Sequence, residues 1–458
     1  MNLDHRPQYH FLPVANWMND PNGLIQWKGI YHLFYQHNPV GACFGAMHWG
    51  HASSHDLVHW RHLPIALAPT PDGADCDGAW SGCAVDANGV PTLIYTGVHP
   101  QVQCLATSDD DLIVWQKDPA NPVIAEPPTG LAVTGFRDPC VWRDDGLWYM
   151  ILGSGQQGVG GLILLYRSSD LHDWEYLGPL LEGRLDETGH NWECPNLLPI
   201  GDRHLLIFSP EPLRQAHYYI GELDGHRFRP KAHGLLDYGG LYYAPQAFTD
   251  QGGRRICFGW LPEGRSSEAM AQAGWAGVQS LPRLLSLSSK GALEQRPIPE
   301  LEALRRSHQT LEAHALANCE GTVVAGRMLE IDVEMNVGSA TSLGLQVLRA
   351  SDGSEHTTLL FKPAEGRLYL DTRFASQDPG AEGRLTSAPL DVMDGLLRMR
   401  VYVDHSVVEV FANERVCLTG RSYPTRADAT GVALLSDGGS AVLSRFDCWT
   451  LATIWSPN

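Results

Sequence analysis

Gly23–Gln36 reads GLIQWKGIYHLFYQ, two runs rich in aromatic and β-branched residues joined by a polar turn at Lys28 and Gly29. The same strand, turn, strand phrase returns as CAVDANGVPTLIYTG from Cys83, CVWRDDGLWYMILGS from Cys140, NLLPIGDRHLLIFS from Asn196 and AFTDQGGRRICFGW from Ala247. Taking Gly29, Gly89, Gly146, Gly201 and Gly252 as turn markers, the spacings are 60, 57, 55 and 51 residues. A second phrase keeps step with the first: Asp56–Trp60 in SSHDLVHW, Asp111–Trp115 in DDDLIVW and Asp170–Trp174 in SSDLHDW. A unit of this length holds a hairpin and a further strand pair, the content of one four-stranded blade, and five units close a propeller. A sandwich gives no reason for five in-step copies, and an α/β fold needs helices between strands that this stretch lacks.

Downstream the texture changes. Pro299–Ser307, PELEALRRS, is the first helix candidate and marks a boundary. Beyond it strand signals follow one another without a repeat, among them LLRMRVYVDHSVVEVFAN, where Leu397, Met399, Val401 and Val403 share one face before a turn at Asp404 and His405. The reading is all-β: a five-bladed β-propeller over residues 1–296, a linker with a short helix over 297–310, and a C-terminal β-sandwich over 311–458. The sandwich is expected to be a stabilising appendage rather than a sugar-binding module.

Composition narrows the partners. The 458-residue chain has 33 Lys+Arg against 52 Asp+Glu, a net charge of −19, so its mean field repels polyanions and nucleic acid is not expected. No apolar run approaches a membrane span, and MNLDHRPQYHFLPV has neither a basic opening nor a long apolar core. With ten scattered cysteines and no CxxC, the expectation is a cytoplasmic protein, or a secreted one if a leader has been removed. Oligomeric state is left open.

The repeat also aligns chemistry. Asp20 lies nine residues before its turn glycine, Asp138 and Glu193 eight before theirs, and Ser81 occupies the same offset in the second unit. Innermost propeller strands run side by side around the axis, so these side chains are expected to meet at one mouth of the channel. One Asp before Pro is ordinary turn chemistry. Three acids at one repeat position, in WMNDPNG, GFRDP and NWECPN, suit cleavage of an acetal, which needs one carboxyl as acid and another as nucleophile at about 5–5.5 Å or as base at about 6.5–9.5 Å.

On these residues the chain resembles glycoside hydrolase family 32, the invertase, levanase and inulinase family. The resemblance runs through WMNDPNG (17–23), FYQHNP (34–39), HWGHASSHDLVHWRHLPIAL (48–67), FRDP (136–139), ECP (193–195), YYAPQ (242–246), SLPR (280–283) and SVVEVFAN (406–413). It implies a five-bladed propeller with a sandwich, and a retaining, two-step release of terminal β-fructofuranosyl units from sucrose and short fructooligosaccharides. It also implies Asp20 as nucleophile, Glu193 as general acid and base, Asp138 as stabiliser of the transition state, and Asn19, Gln36, Trp49, Ser81, Arg137 and Trp260 around the fructose. Two positions depart from the family pattern: Phe44 stands where Trp is common, and Trp80 where Phe is common, so an indole N–H moves within the aromatic wall. A fructosyltransferase, a sucrose 6-phosphate hydrolase and an inactive carbohydrate-binding protein are the rival readings.

Three features invite other chemistry. Gly153, Gly155 and Gly158 spell GxGxxG with Asp173 downstream, but the following GGLILLYRS reads as a strand where a dinucleotide site needs a helix. His51, His55 and His59 would align only on a helix, and they fall in a strand and turn phrase, so no metal is assigned. Cys83 and Cys194 are read as small packing residues. Acetal hydrolysis requires no cofactor, and none is expected.

Overall fold

The computed structural model describes residues 5–316, 318 and 321–455. Five antiparallel sheets stand around a common axis, and their first strands, Asn16–Trp27, Gly78–Asp86, Val133–Asp144, Asn191–Ile200 and Tyr243–Thr249, touch one another in sequence to close a ring. We number these sheets blades 1 to 5. The ring is latched by blade 1, whose first strand also pairs in parallel with Trp275–Ala276, with Asn16 opposite Trp275. Among the described residues no helix is long and apolar enough to cross a membrane.

Both repeated phrases have a backbone explanation. Gly29, Gly89, Gly146 and Gly201 all take positive φ in hairpin turns, whereas in blade 5 it is Gly253 rather than Gly252 that does so. In the second phrase Leu57, Leu112 and Leu171 have φ of 65°, 52° and 72°. The Trp three residues on donates its indole N–H to each of these leucine carbonyls, at 3.0, 3.1 and 2.8 Å. The phrase is thus a tight corner between the third and fourth strands of blades 1 to 3, and the Trp satisfies a carbonyl that the left-handed turn leaves without a ladder partner.

Two further sheets form the sandwich. One has the strand order Arg305–Leu311, Ala441–Leu451, Met328–Asn336, Leu396–Asp404, Val407–Ala412, Val416–Arg421; the other runs Val324–Ala325, Gly431–Asp437, Ser342–Arg349, Thr357–Lys362, Arg367–Asp371, Leu385–Pro389. Leu397, Met399, Val401 and Val403 face inward against residues such as Leu345 and Leu434, as the alternation requires. The helix candidate is shorter than its sequence suggests. It is a 3₁₀ turn over Pro299–Leu304, and Arg305 already begins an edge strand paired with Ala441–Leu451, because Leu301 and Leu304 are buried while the following residues face solvent at the sheet margin.

The two halves share one core. Tyr402, Val407, Phe411 and Cys417 of the sandwich pack in the same cluster as Ile200, Leu205, Ile256 and Phe258 of the blades. Through it runs a buried polar chain: His10 lies between Asp404 and Glu409 at 2.9 and 3.2 Å, and Arg283 holds Glu409 at 2.7 Å and Asp237 at 2.9 Å. Every charge in this chain has an opposite partner, without which burial would cost several kcal/mol per ion.

Candidate active site

Each innermost strand breaks its ladder at the same height. Pairing skips Asn19 and Asp20 in blade 1, Ser81 in blade 2, Asp138 and Pro139 in blade 3, Cys194 and Pro195 in blade 4, and Ala244 and Pro245 in blade 5. A proline cannot supply a ladder N–H, and a bulge re-aims the neighbouring side chains, here toward the channel mouth. Asp138, Cys194 and Ala244, each directly before its proline, have positive φ of 62°, 48° and 46°.

These bulges refine the register inferred from turn glycines. Cys194 and Ala244 are the structural equivalents of Asp138, while Glu193 sits one residue earlier, level with Arg137 and Tyr243. Counting from the turn shifts blade 4 by one because Gly201 is the first residue of its two-residue turn, whereas Gly146 is the second of the blade 3 turn. Three acids still meet, but from two adjacent tiers of the channel wall.

They line a cavity of about 740 Å³. Asp20 is fixed by Ser81 Oγ at 2.6 Å on one oxygen and by Asn19 Nδ2 at 3.0 Å on the other, and Trp17 Nε1 donates to Asn19 Oδ1 at 2.7 Å. Asp138 accepts the Cys194 amide at 2.9 Å, and the Cys194 thiol lies 3.5 Å from Asp20 and 3.6 Å from Asp138. Glu193 accepts Arg137 Nη2 at 2.9 Å and the Tyr243 hydroxyl at 2.5 Å. Arg137 also reaches Glu211 at 2.8 Å and approaches Asp138 at 3.9 Å. One guanidinium therefore serves three carboxylates.

Burial sets the protonation of the acids. It raises the Asp20 pKa against the opposing hydrogen bonds from Ser81, Asn19 and Cys194. It pushes Asp138 up to about 6 although Arg137 pulls the other way, with the Asp20 charge adding to the rise. It pushes Glu193 up to about 7, again against Arg137, with Asp138 and Glu211 contributing. Such a cluster holds fewer charges than it has carboxyls near neutrality, the condition under which one acid stays protonated beside an ionised neighbour.

Of the residues named from sequence, Asn19, Asp20, Gln36, Phe44, Trp80, Ser81, Arg137, Asp138, Glu193 and Trp260 all line this cavity. Trp49 does not: it is fully buried behind the wall and donates its indole N–H to the Trp80 carbonyl at 3.0 Å, so it supports the wall from below. The two departures face each other, Phe44 and Trp80 meeting edge to face at 6.3 Å, with Trp17 at 6.5 Å from Phe44 and Trp260 at 5.8 Å from Trp17. Sequence reasoning missed Tyr243, Glu211 and the part played by Cys194; Glu211 had no signal of its own, while Tyr243 and Cys194 were visible only as members of YYAPQ and ECP. Glu382 and Arg384, both from the sandwich, complete the lining.

The distracting motifs resolve by packing. A Cβ on Gly153 would lie 2.4 Å from the Trp192 carbonyl and one on Gly155 1.9 Å from the His190 carbonyl, so these glycines let blade 4 approach blade 3. His51 stacks on Phe34 at 4.0 Å and hydrogen-bonds His32, while His59 bonds Asp56 on the outer turn. Among the described residues no cluster of His, Cys, Asp and Glu has the arrangement of a metal site. Cys83 lies in the blade 2–blade 3 core, and the nine described cysteines are free.

The sequence model of the glycosyl hydrolases family 32 N-terminal domain matches residues 10–297, and that of the family's C-terminal domain matches 300–450. The chain belongs to glycoside hydrolase family 32. It is 38% identical to a sucrose-6-phosphate hydrolase of Escherichia coli, an alignment covering 97% of this chain and 94% of the relative. It is 36% identical to a raffinose invertase of the same species, over 97% and 95%. Among solved structures, fructan 1-exohydrolase IIa of Cichorium intybus in complex with 1-kestose superposes with a TM-score of 0.92 at 28% identity, covering 99% of this chain and 98% of that one. As a family 32 member the chain is a glycosidase of the β-fructofuranosidase type, with the propeller and sandwich expected of that family.

Proposed function

We propose that this enzyme removes terminal non-reducing β-D-fructofuranosyl units from sucrose and short β-fructans with retention of configuration. Asp20 attacks the anomeric carbon as Glu193 protonates the departing oxygen; water deprotonated by Glu193 then hydrolyses the fructosyl ester. Asp138, held by the Cys194 amide, binds fructose hydroxyls and stabilises the oxocarbenium-like transition state. Asn19, Gln36 and Ser81 offer the polar contacts that distinguish a hydroxyl from carbon.

The observation that carries this reading is the division of labour between Asp20 and Glu193. Burial raises both acids, but neutral donors from Ser81 and Asn19 hold Asp20 toward its anion, whereas Glu193 is pushed up to about 7 and so keeps a proton to give. The supporting experiment incubates wild type and Asp20→Ala with sucrose and follows the first product by NMR. Early β-fructofuranose from wild type, and none from the variant, is expected. Initial α-fructofuranose, or activity of Asp20→Ala within about tenfold of wild type, overturns the double displacement through Asp20. Running the same reaction at high sucrose measures fructosyl transfer to sugar, and dominance of oligosaccharide over free fructose would make the chain a transferase.

A further inference from the structure

We infer that the sandwich strand Val416–Arg421, continued to Tyr423, is a positioning strand that holds the mounts of the two catalytic carboxylates at a fixed spacing. The inference rests on Asp20 and Glu193 being the nucleophile and the proton donor. The strand is the edge of its sheet, paired on one side with Val407–Ala412. An edge leaves a row of backbone groups without ladder partners. Here the propeller takes them: the Cys417 carbonyl accepts the Tyr238 amide at 2.9 Å, and the Thr419 amide donates to Asp237 Oδ1 at 2.9 Å.

Thr419 begins the arm that ends on Glu193. Its hydroxyl donates to Asp237 Oδ2 at 2.6 Å, while Asp237 Oδ1 also accepts the Gly239 amide at 2.8 Å. A Cβ on Gly239 would lie 2.0 Å from the Thr419 carbonyl, so only glycine lets the two backbones approach this closely. Residues 240–243 then run along the cavity wall, and the Tyr243 hydroxyl reaches Glu193.

Arg421 and Tyr423 begin the arm that ends on Asp20. Both hold Glu263: Arg421 Nη2 lies 3.2 Å from Oε1, and the Tyr423 hydroxyl donates to Oε2 at 2.7 Å. Burial alone would raise the Glu263 pKa, but Arg421 and Arg265 outweigh it and hold the carboxylate below its ordinary value. This anion accepts the Gly277 amide at 2.9 Å. A Cβ on Gly277 would lie 1.9 Å from the Met18 carbonyl, and Gln279 Nε2 donates to the Asn19 carbonyl at 2.7 Å. Residues 277–279 therefore back the strand that presents Asp20.

Thr419 and Arg421 stand two apart on one strand, so their side chains leave the same face. The spacing of the two mounts is then set by a sheet rather than by a loop, the more rigid of the two supports. Thr419, Arg421 and Tyr423 touch no reacting atom; they act through Tyr243 and Asn19, which gives the sandwich a part in the chemistry besides stability.

The test compares Thr419→Val and Tyr423→Phe, each of which removes one hydroxyl and little volume, with Arg305→Gln, which breaks a 2.8 Å ion pair to Glu330 inside the sandwich. Thr419→Val should loosen Tyr243 from Glu193, moving the alkaline limb of kcat/KM to higher pH. Below that limb sucrose should lose roughly fivefold in kcat/KM, what one net hydrogen bond is worth, while an activated aryl fructoside, which needs little protonation, loses little. Tyr423→Phe should lower kcat/KM by roughly fivefold on both substrates, since both first steps need Asp20, and should leave the alkaline limb in place. Arg305→Gln should lower the urea midpoint and move neither signature. A carbon-13 NMR titration of Glu193, assigned by its loss in Glu193→Gln, reads the first arm without turnover: its pKa should rise in Thr419→Val and hold in Tyr423→Phe. Two variants that keep the wild-type substrate ratio, pH limb and Glu193 titration overturn the inference and leave the hydrolase reading to stand on wild-type cleavage of sucrose. Signatures that do not follow the arms, such as one common loss in both variants, overturn it too. A wild type that cleaves neither substrate, with a Glu193 titration that moves in Thr419→Val alone, upholds the positioning strand and fells the hydrolase reading instead.

Discussion

The Tyr243 hydroxyl donates a 2.5 Å hydrogen bond to Glu193 Oε2, on the oxygen that Arg137 leaves open. A donor favours the carboxylate over the acid, so Tyr243 holds down a pKa that burial raises. It thereby helps set the pH at which Glu193 ceases to be a proton donor.

Tyr243→Phe removes that donor without emptying the site. The Glu193 pKa then rises, the protonated form persists to higher pH, and the alkaline limb of kcat/KM for sucrose is expected to move from near 7 to more basic values. A pH–rate profile whose alkaline limb stays in place, or moves toward acid, would separate that limb from Glu193.

Glu193→Gln distinguishes the two duties of one residue. Sucrose has a poor leaving group and should lose most of its turnover, while an activated aryl fructoside needs little protonation and should still fructosylate Asp20. Without the base the ester accumulates, giving a burst of phenol followed by slow turnover, and azide should restore the second step to yield a fructosyl azide of retained configuration. Equal losses on both substrates with no burst and no rescue would assign the proton to another group.

The repeat carried the propeller and most of the site because each blade must supply an inner strand, and inner strands can meet only at the axis. What turn counting missed is one residue of register. Gly201 opens the two-residue blade 4 turn where Gly146 closes the blade 3 turn, so Cys194 rather than Glu193 stands level with Asp138, and only the ladder breaks at Pro139 and Pro195 reveal it. Trp49 was drawn into the pocket by its motif, yet strand alternation turns it inward beneath Trp80. Arg384 was illegible for a different reason: nothing in a strand pattern announces that a loop of one domain will close the site of another.

Gly155 separates a packing motif from a nucleotide motif. In Gly155→Ala the new methyl meets the His190 carbonyl at 1.9 Å, backbone against which there is no rotamer to adjust. A destabilisation of about 1–3 kcal/mol is expected from overpacking, read as a lower urea midpoint. Glu193 lies three residues beyond His190, so kcat should fall with it. Full stability in this variant would show that blades 3 and 4 can part at no cost.

His10 provides the last prediction. Its two ring nitrogens each face a buried carboxylate, Asp404 at 2.9 Å and Glu409 at 3.2 Å, so both must donate and the ring is an imidazolium. Burial pulls its pKa down, but the hydrogen bonds and charges of Asp404 and Glu409 outweigh it, and the net shift is upward from 6.5. The folded protein thus retains a proton that the unfolded chain releases near 6.5. The resulting stability is fully present below that pH and is lost as pH rises through the folded-state pKa. The neighbours do not cancel this, since among the described residues Asp404 is otherwise bonded to the amides of Gln8, Tyr9 and His10, while Arg283 neutralises Glu409 from its far oxygen. His10→Gln removes the titrating cation and leaves a buried carboxylate undercompensated, at a cost of about 3–5 kcal/mol near pH 6. The urea midpoint of wild type should fall between pH 6.5 and 9 more steeply than that of the variant. Parallel curves would mean that His10 carries no charge in the folded state and that Arg283 is the cation that matters to the buried polar chain.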